Sequence, residues 1–153
     1  MKDKNKTGEI KKMIFDEPKI VVPYRSYENI FGYNDVPWFA SVDVFFITAK
    51  VDVPFEPFYL LGVLNSKLIY IWLYHRGKRK GQMLELYRTP LSEIPIAMGT
   101  QDQKQSIEKL VREIIAVKTT NPQADIASQE AKINQLVYKL YNLTPEEIAI
   151  IEG

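Results

Sequence analysis

The chain has 153 residues, 46% of them hydrophobic and 25% charged, which fits one domain with a packed core or one domain with a helical appendage. Its formal net charge of +1 excludes a global basic field, and the absence of cysteine excludes disulfides and thiolate metal sites and suits a reducing cytoplasm. Residues 1–12 lack the apolar core of a signal peptide, and residues 1–10 read as a flexible segment.

Residues 11–15 and 19–24 are short apolar runs separated by Asp16, Glu17 and Pro18, and they predict two strands. Residues 25–41 are irregular, with Gly32, Asn34, Asp35 and Pro37 as turn formers. Residues 42–49 are almost continuously apolar and predict a strand at the centre of a sheet. Pro57 suits the first position of a helix that continues as an aromatic-rich apolar run to Tyr74. This run is the one membrane candidate. Asn65, Ser66 and Lys67 interrupt it at its centre, which favours a buried helix and no membrane role.

Beyond a basic turn, residues 83–88 and 93–97 predict two more strands, the second at a sheet edge because Pro95 has no N–H to donate. From Thr100 onward the pattern turns helical. Thr100 and Gln103 have capping-box spacing, and Ile107, Leu110, Val111, Ile114 and Ile115 form one apolar stripe. Asn121 and Pro122 break the chain. A second stripe follows at Ile126, Ile133, Leu136, Val137 and Leu140, with Asn142 as its C-terminal cap. Thr144, Pro145 and Glu147 then open a short terminal helix. The expected fold class is α+β: a mixed β-sheet with a buried helix, followed by an antiparallel helical hairpin and a short terminal helix. Residues 11–99 make the first unit and residues 100–153 the helical region.

Charge is unevenly spread. Residues 1–100 carry 14 Lys and Arg against 11 Asp and Glu, while residues 101–153 carry 6 against 8, so an electrostatic binding face belongs in the first two-thirds. Its centre is the turn holding Arg76, Lys78, Arg79 and Lys80, with Gly77 and Gly81 allowing close backbone approach. Either these side chains meet phosphates and a guanine edge, or they form a solvated loop at a helix C-terminus. Gln82 and Arg88 extend the candidate set. A second group lies in the irregular segment: Tyr24, Arg25, Tyr27, Asn29, Tyr33, Asn34 and Trp38, of which Arg25 and Tyr27 are the expected exposed members and Trp38 and Phe39 are expected to pack. His75, the sole histidine, reads as a capping or packing residue rather than a ligand. Glu17-Pro18-Lys19 has the form of a nuclease triplet but lacks an acid on a preceding strand, and no glycine-rich nucleotide loop occurs.

Residues 59–66 (Tyr59, Leu60, Leu61, Gly62, Val63, Leu64, Asn65, Ser66), the aromatic helix after them, residues 91–96 (Leu91, Ser92, Glu93, Ile94, Pro95, Ile96) and the tail from Ile133 to Glu147 resemble the TaqI-like specificity domain of restriction-modification enzymes. The resemblance runs over about residues 19–153. It implies sequence-specific binding of double-stranded DNA, with an N-terminal methyltransferase domain of the same polypeptide as partner. It also implies a bacterial adenine-specific DNA methyltransferase as parent, with or without endonuclease activity and using S-adenosylmethionine. Such an enzyme carries an Asn-Pro-Pro-Tyr motif. Here the one Asn-Pro pair, Asn121-Pro122, is followed by Gln123, so this fragment is expected to be non-catalytic and to need no cofactor. No DNA-reading residue transfers by motif, so Arg25, Tyr27, Arg76, Lys78, Arg79, Lys80, Gln82 and Arg88 are candidates by charge and position. The competing expectation is a helical-hairpin protein-interaction module without nucleic-acid binding.

Overall fold

The structure, a computed structural model, describes residues 15–50 and 52–153. The expected strand over 11–15 therefore lies almost wholly outside the described residues, and its last member, Phe15, is helical. The α+β class holds. In place of one mixed sheet, the described residues form two three-stranded antiparallel sheets.

The first sheet has β1 (Lys19–Pro23) at its centre, flanked by β3 (Gly32–Asn34) and β4 (Val44–Ile47). The strand expected to be central, 42–49, is thus an edge strand among the described residues. Its apolar run instead serves aromatic cover: Phe46 meets Phe15 at 5.6 Å and Trp38 at 6.0 Å, and Phe45 meets Tyr24 at 5.9 Å. Trp38 and Phe39, both expected to pack, touch the aromatic cluster at Phe46 and Phe15 but stay 39% and 69% exposed. The second sheet orders β2 (Arg25–Ser26), β6 (Met83–Glu85) and β5 (Lys78–Lys80). Tyr24 joins the two sheets, its N–H donating to Asp43 O at 2.7 Å and its carbonyl accepting from Leu86 N at 2.7 Å.

The apolar run 57–76 is two helices, not one: α1 (Pro57–Leu64) and α2 (Lys67–Arg76). Ser66 caps α2, accepting from Ile69 N at 3.4 Å. Two side-chain amides, the buried Asn29 and the exposed Asn65, fill the break. Asn29 donates to Leu64 O and Ser66 O at 2.6 and 3.0 Å, and the Asn65 amide pairs with both Phe31 N and Phe31 O. Peptide groups freed where a helix ends inside a core need such partners. Asn29, a member of the second candidate group, is therefore spent on backbone.

Residues 83–88 and 93–97 also differ from expectation. The first run ends as a strand at Glu85, and α3 (Arg88–Ser92) follows. The second run pairs with no strand. Tyrosine hydroxyls hold it instead: Tyr141 donates to Pro95 O at 2.5 Å and accepts from Ala97 N at 3.1 Å, and Tyr59 donates to Ala97 O at 2.5 Å. Burial raises the pKa of both phenols, which keeps them protonated as donors.

Helices α4 (Gln101–Thr120), α5 (Ala127–Leu140) and α6 (Pro145–Glu152) complete the chain, with capping boxes at Thr100 and Thr144. Asn142, at φ 54°, ends α5 in a Schellman motif: its N–H donates to Lys139 O, and Leu143 N donates to Tyr138 O. The hairpin packs on α1 and α2, burying Ile107, Val111, Ile133 and Val137 in the same core as Ile20, Leu73 and Leu84. Lys104 binds both oxygens of Glu56, and Lys67 pairs with Glu152, whose carboxyl is held below the usual range by Lys67 and by the Tyr138 hydroxyl. Among the described residues no helix is long and apolar enough to cross a membrane.

Candidate nucleic-acid interface

The basic turn of the sequence is a β-hairpin seated on the end of α2. Gly77 follows the helix where an added Cβ would lie 2.6 Å from Leu73 O, so a side chain is excluded there. Gly81 has φ 62° with open space around its Cβ position, which suits the two-residue loop joining Lys80 to Met83.

Strand alternation divides the cations. Arg25, Glu85 and Lys78 lie directly opposite one another across the sheet, and Lys80 faces Met83 in the next outward row. Ser26, Leu84 and Arg79 share the other face, where Leu84 is 0% exposed against the core. Arg25, Lys78 and Lys80 are all exposed on the outer face. Arg79 turns the other way and stacks over Tyr74 at 4.0 Å, while Tyr74 Oη donates to Gln82 Oε1 at 2.8 Å. Arg79 and Gln82 thereby clamp the hairpin to α2 while remaining exposed.

Arg76 closes α2 and Arg88 opens α3, both exposed at the ends of elements bordering this sheet. Tyr27 follows β2, is 67% exposed, and shares with Gln82, Ile30 and Tyr70 the wall of a groove of about 890 Å³ that runs to Ile114 and Ile126 of the helical hairpin. The structure therefore brings Arg25, Lys78 and Lys80 onto one face, places Arg79 and Gln82 on Tyr74, and leaves Tyr27 beside the groove. His75 is exposed and meets Tyr74 edge-on at 5.2 Å, which fits the packing role expected for it.

Glu85 is the residue that sequence reasoning missed. It accepts from Arg25 Nε at 3.0 Å and lies 2.9 Å from Arg25 Nη2, and this contact is the main reason the guanidinium pKa is raised. Alternation with Leu84 and Leu86 was the signal that Glu85 faces outward.

Lys19, of the Glu17-Pro18-Lys19 triplet, is 0% exposed, and its ammonium donates to Phe15 O, Glu17 O and Val36 O at 2.9 to 3.2 Å. A lysine bound to three carbonyls is a structural strut, and the triplet does not form a nuclease centre.

A family model described as the TaqI-like C-terminal specificity domain matches residues 1–96. Two curated proteins are similar over 85 residues at 32% identity: the type II methyltransferase M.HincII of Haemophilus influenzae and the type II methyltransferase M.HindII of Haemophilus influenzae strain Rd. Each alignment covers 52% of this chain but only 17% and 16% of the respective relative, so the chain spans about a sixth of their length.

Proposed function

The chain belongs to the TaqI-like C-terminal specificity domain family, and on that premise we propose that it recognises a target sequence in double-stranded DNA for an adenine-specific methyltransferase of a bacterial restriction-modification system. The observation that carries this reading is the outward face of the second sheet, where Arg25, Lys78 and Lys80 stand together within the matched residues. The β5–β6 hairpin is a two-stranded ribbon of the kind the major groove admits, with Arg25 beside it on β2, and its lysines neutralise phosphates and set register. The helical hairpin is the buttress that fixes α1 and α2 beneath the ribbon.

Methyl transfer belongs in this reading to a preceding portion of the same polypeptide, working in the cytoplasm. That portion would bind the S-adenosylmethionine methyl donor. Among the described residues no helix opens from a glycine-rich turn of the kind that cradles such a group, and the helices beginning at Ser66, Thr100 and Thr144 are capped by their own side chains. No chemical step is assigned to this chain.

The test is a salt titration of binding to a random-sequence duplex, with the chain in its natural polypeptide. Lys78→Ala/Lys80→Ala should weaken binding and flatten the dependence of log affinity on log salt by roughly two units, about 0.9 for each lost phosphate contact. Unchanged affinity and slope would remove the second sheet from the interface and favour the helical hairpin as a protein-binding module.

A further inference from the structure

Resting on that reading, we propose that Arg25 and Glu85 act as a unit that reads one G·C base pair in the major groove, Arg25 on the guanine and Glu85 on the cytosine.

Geometry comes first. Arg25, Glu85 and Lys78 form one cross-strand row on the exposed face, with Lys80 in the next. Arg25 is fixed on two sides: Glu85 Oε1 takes its Nε–H at 3.0 Å, and the Tyr24 ring lies beneath the guanidinium at 4.5 Å. Glu85 is held in turn, with its side chain 18% exposed against 36% for Arg25. The pair is ordered before any ligand arrives, so little side-chain freedom is lost on binding.

Chemistry then restricts what the pair can meet. A carboxylate on a face approaching phosphates is repelled unless a donor reaches it. In the major groove the donors are the N4 amino group of cytosine and the N6 amino group of adenine. Arg25 directs Nε and Nη2 at Glu85, and Nη2 also donates to Tyr24 Oη in a long 3.4 Å bond that a guanine acceptor would replace, so Nη1 and this outer Nη2 N–H make the fork offered to the groove. Across a G·C pair the groove edge reads acceptor, acceptor, donor: guanine N7 and O6, then cytosine N4. A guanidinium fork beside a carboxylate matches that order. Across an A·T pair the adenine N6 donor separates two acceptors, and the fork has no adjacent pair to grip. Lys78 and Lys80 carry no such order and serve the phosphates.

The experiment selects bound duplexes from a randomised library, using the natural polypeptide and its variants, and sequences the bound fraction. The unaltered protein should enrich a motif containing a G·C pair that both variants affect. Glu85→Gln, which cancels the charge and adds a donor, should relax that pair by between about fivefold and a hundredfold. Its affinity for unselected DNA should hold or rise. Arg25→Lys, which keeps charge but loses the fork, should relax the same pair. Lys78→Ala/Lys80→Ala should lower all binding without altering the motif. If Glu85→Gln and Arg25→Lys leave the motif intact, or relax different pairs, the pair only ties β2 to β6 and the inference falls alone. If the unaltered protein enriches no motif, the target-recognition function falls and the pair's role falls with it.

Discussion

Val137→Asp should cost about 4 kcal/mol or more of folding stability, read as a shifted urea midpoint with an unchanged slope. Val137 lies on α5 with 0% exposure, inside the cluster that includes Ile107, Ile133 and Leu140. A carboxylate there has no polar partner and must stay charged without water or take up a proton, and both options penalise the folded state. Leu110 and Leu136, on the same apolar stripes, are only half-buried, so Asp at either should cost less, about 1–2 kcal/mol. The contrast tests which side of each stripe faces the core. A Val137→Asp midpoint equal to the parent's would mean that the hairpin does not pack on α1 and α2.

Gly62→Ala carries the second large effect, a loss of about 1–3 kcal/mol despite the better helix propensity of alanine. An added Cβ would lie 2.2 Å from Ile107 Cγ2 and 3.2 Å from Val111 Cγ2. Both neighbours are β-branched residues on α4 with stiff χ1 rotamers, so neither methyl can swing aside and the helices must separate. Ile107→Ala removes the clashing methyl, so the double variant should be less destabilised than the sum of the singles. A neutral or stabilising Gly62→Ala would contradict the close approach of α1 and α4.

The helix ends were the most legible part of the chain, because their signals are local. Thr100 with Gln103, Thr144 with Glu147, Pro57 at a helix start and Asn142 at a helix end each act within one turn. The sheets were less legible because their order depends on partners far along the chain. The apolar run 42–49 looked central by composition, yet its cover comes from Phe15 and Trp38 rather than from a second strand. The 93–97 run carried the signal of an edge strand, but Tyr59 and Tyr141 supply its hydrogen bonds. No local pattern announces a hydroxyl arriving from 38 or 44 residues away.

The candidate site divides in the same way. The local run of cations marked the hairpin, and its glycines marked the turn. The sorting of Lys78 and Lys80 from Arg79 required a strand register, and the role of Tyr74 required knowing that the hairpin folds back on α2. Glu85 escaped notice because a search for cations passes over an acid, although its position between Leu84 and Leu86 marks the outward face.

Photochemical crosslinking shows whether DNA meets the outer face of the second sheet. The chain in its natural polypeptide is bound at low salt to a duplex carrying thiolated thymidines in the major groove, irradiated, digested and mapped by mass spectrometry. Crosslinks are expected to concentrate in residues 25–27 and 76–88. Crosslinks confined to 101–153, or a crosslink pattern unchanged by Lys78→Ala/Lys80→Ala, would contradict DNA contact at this face.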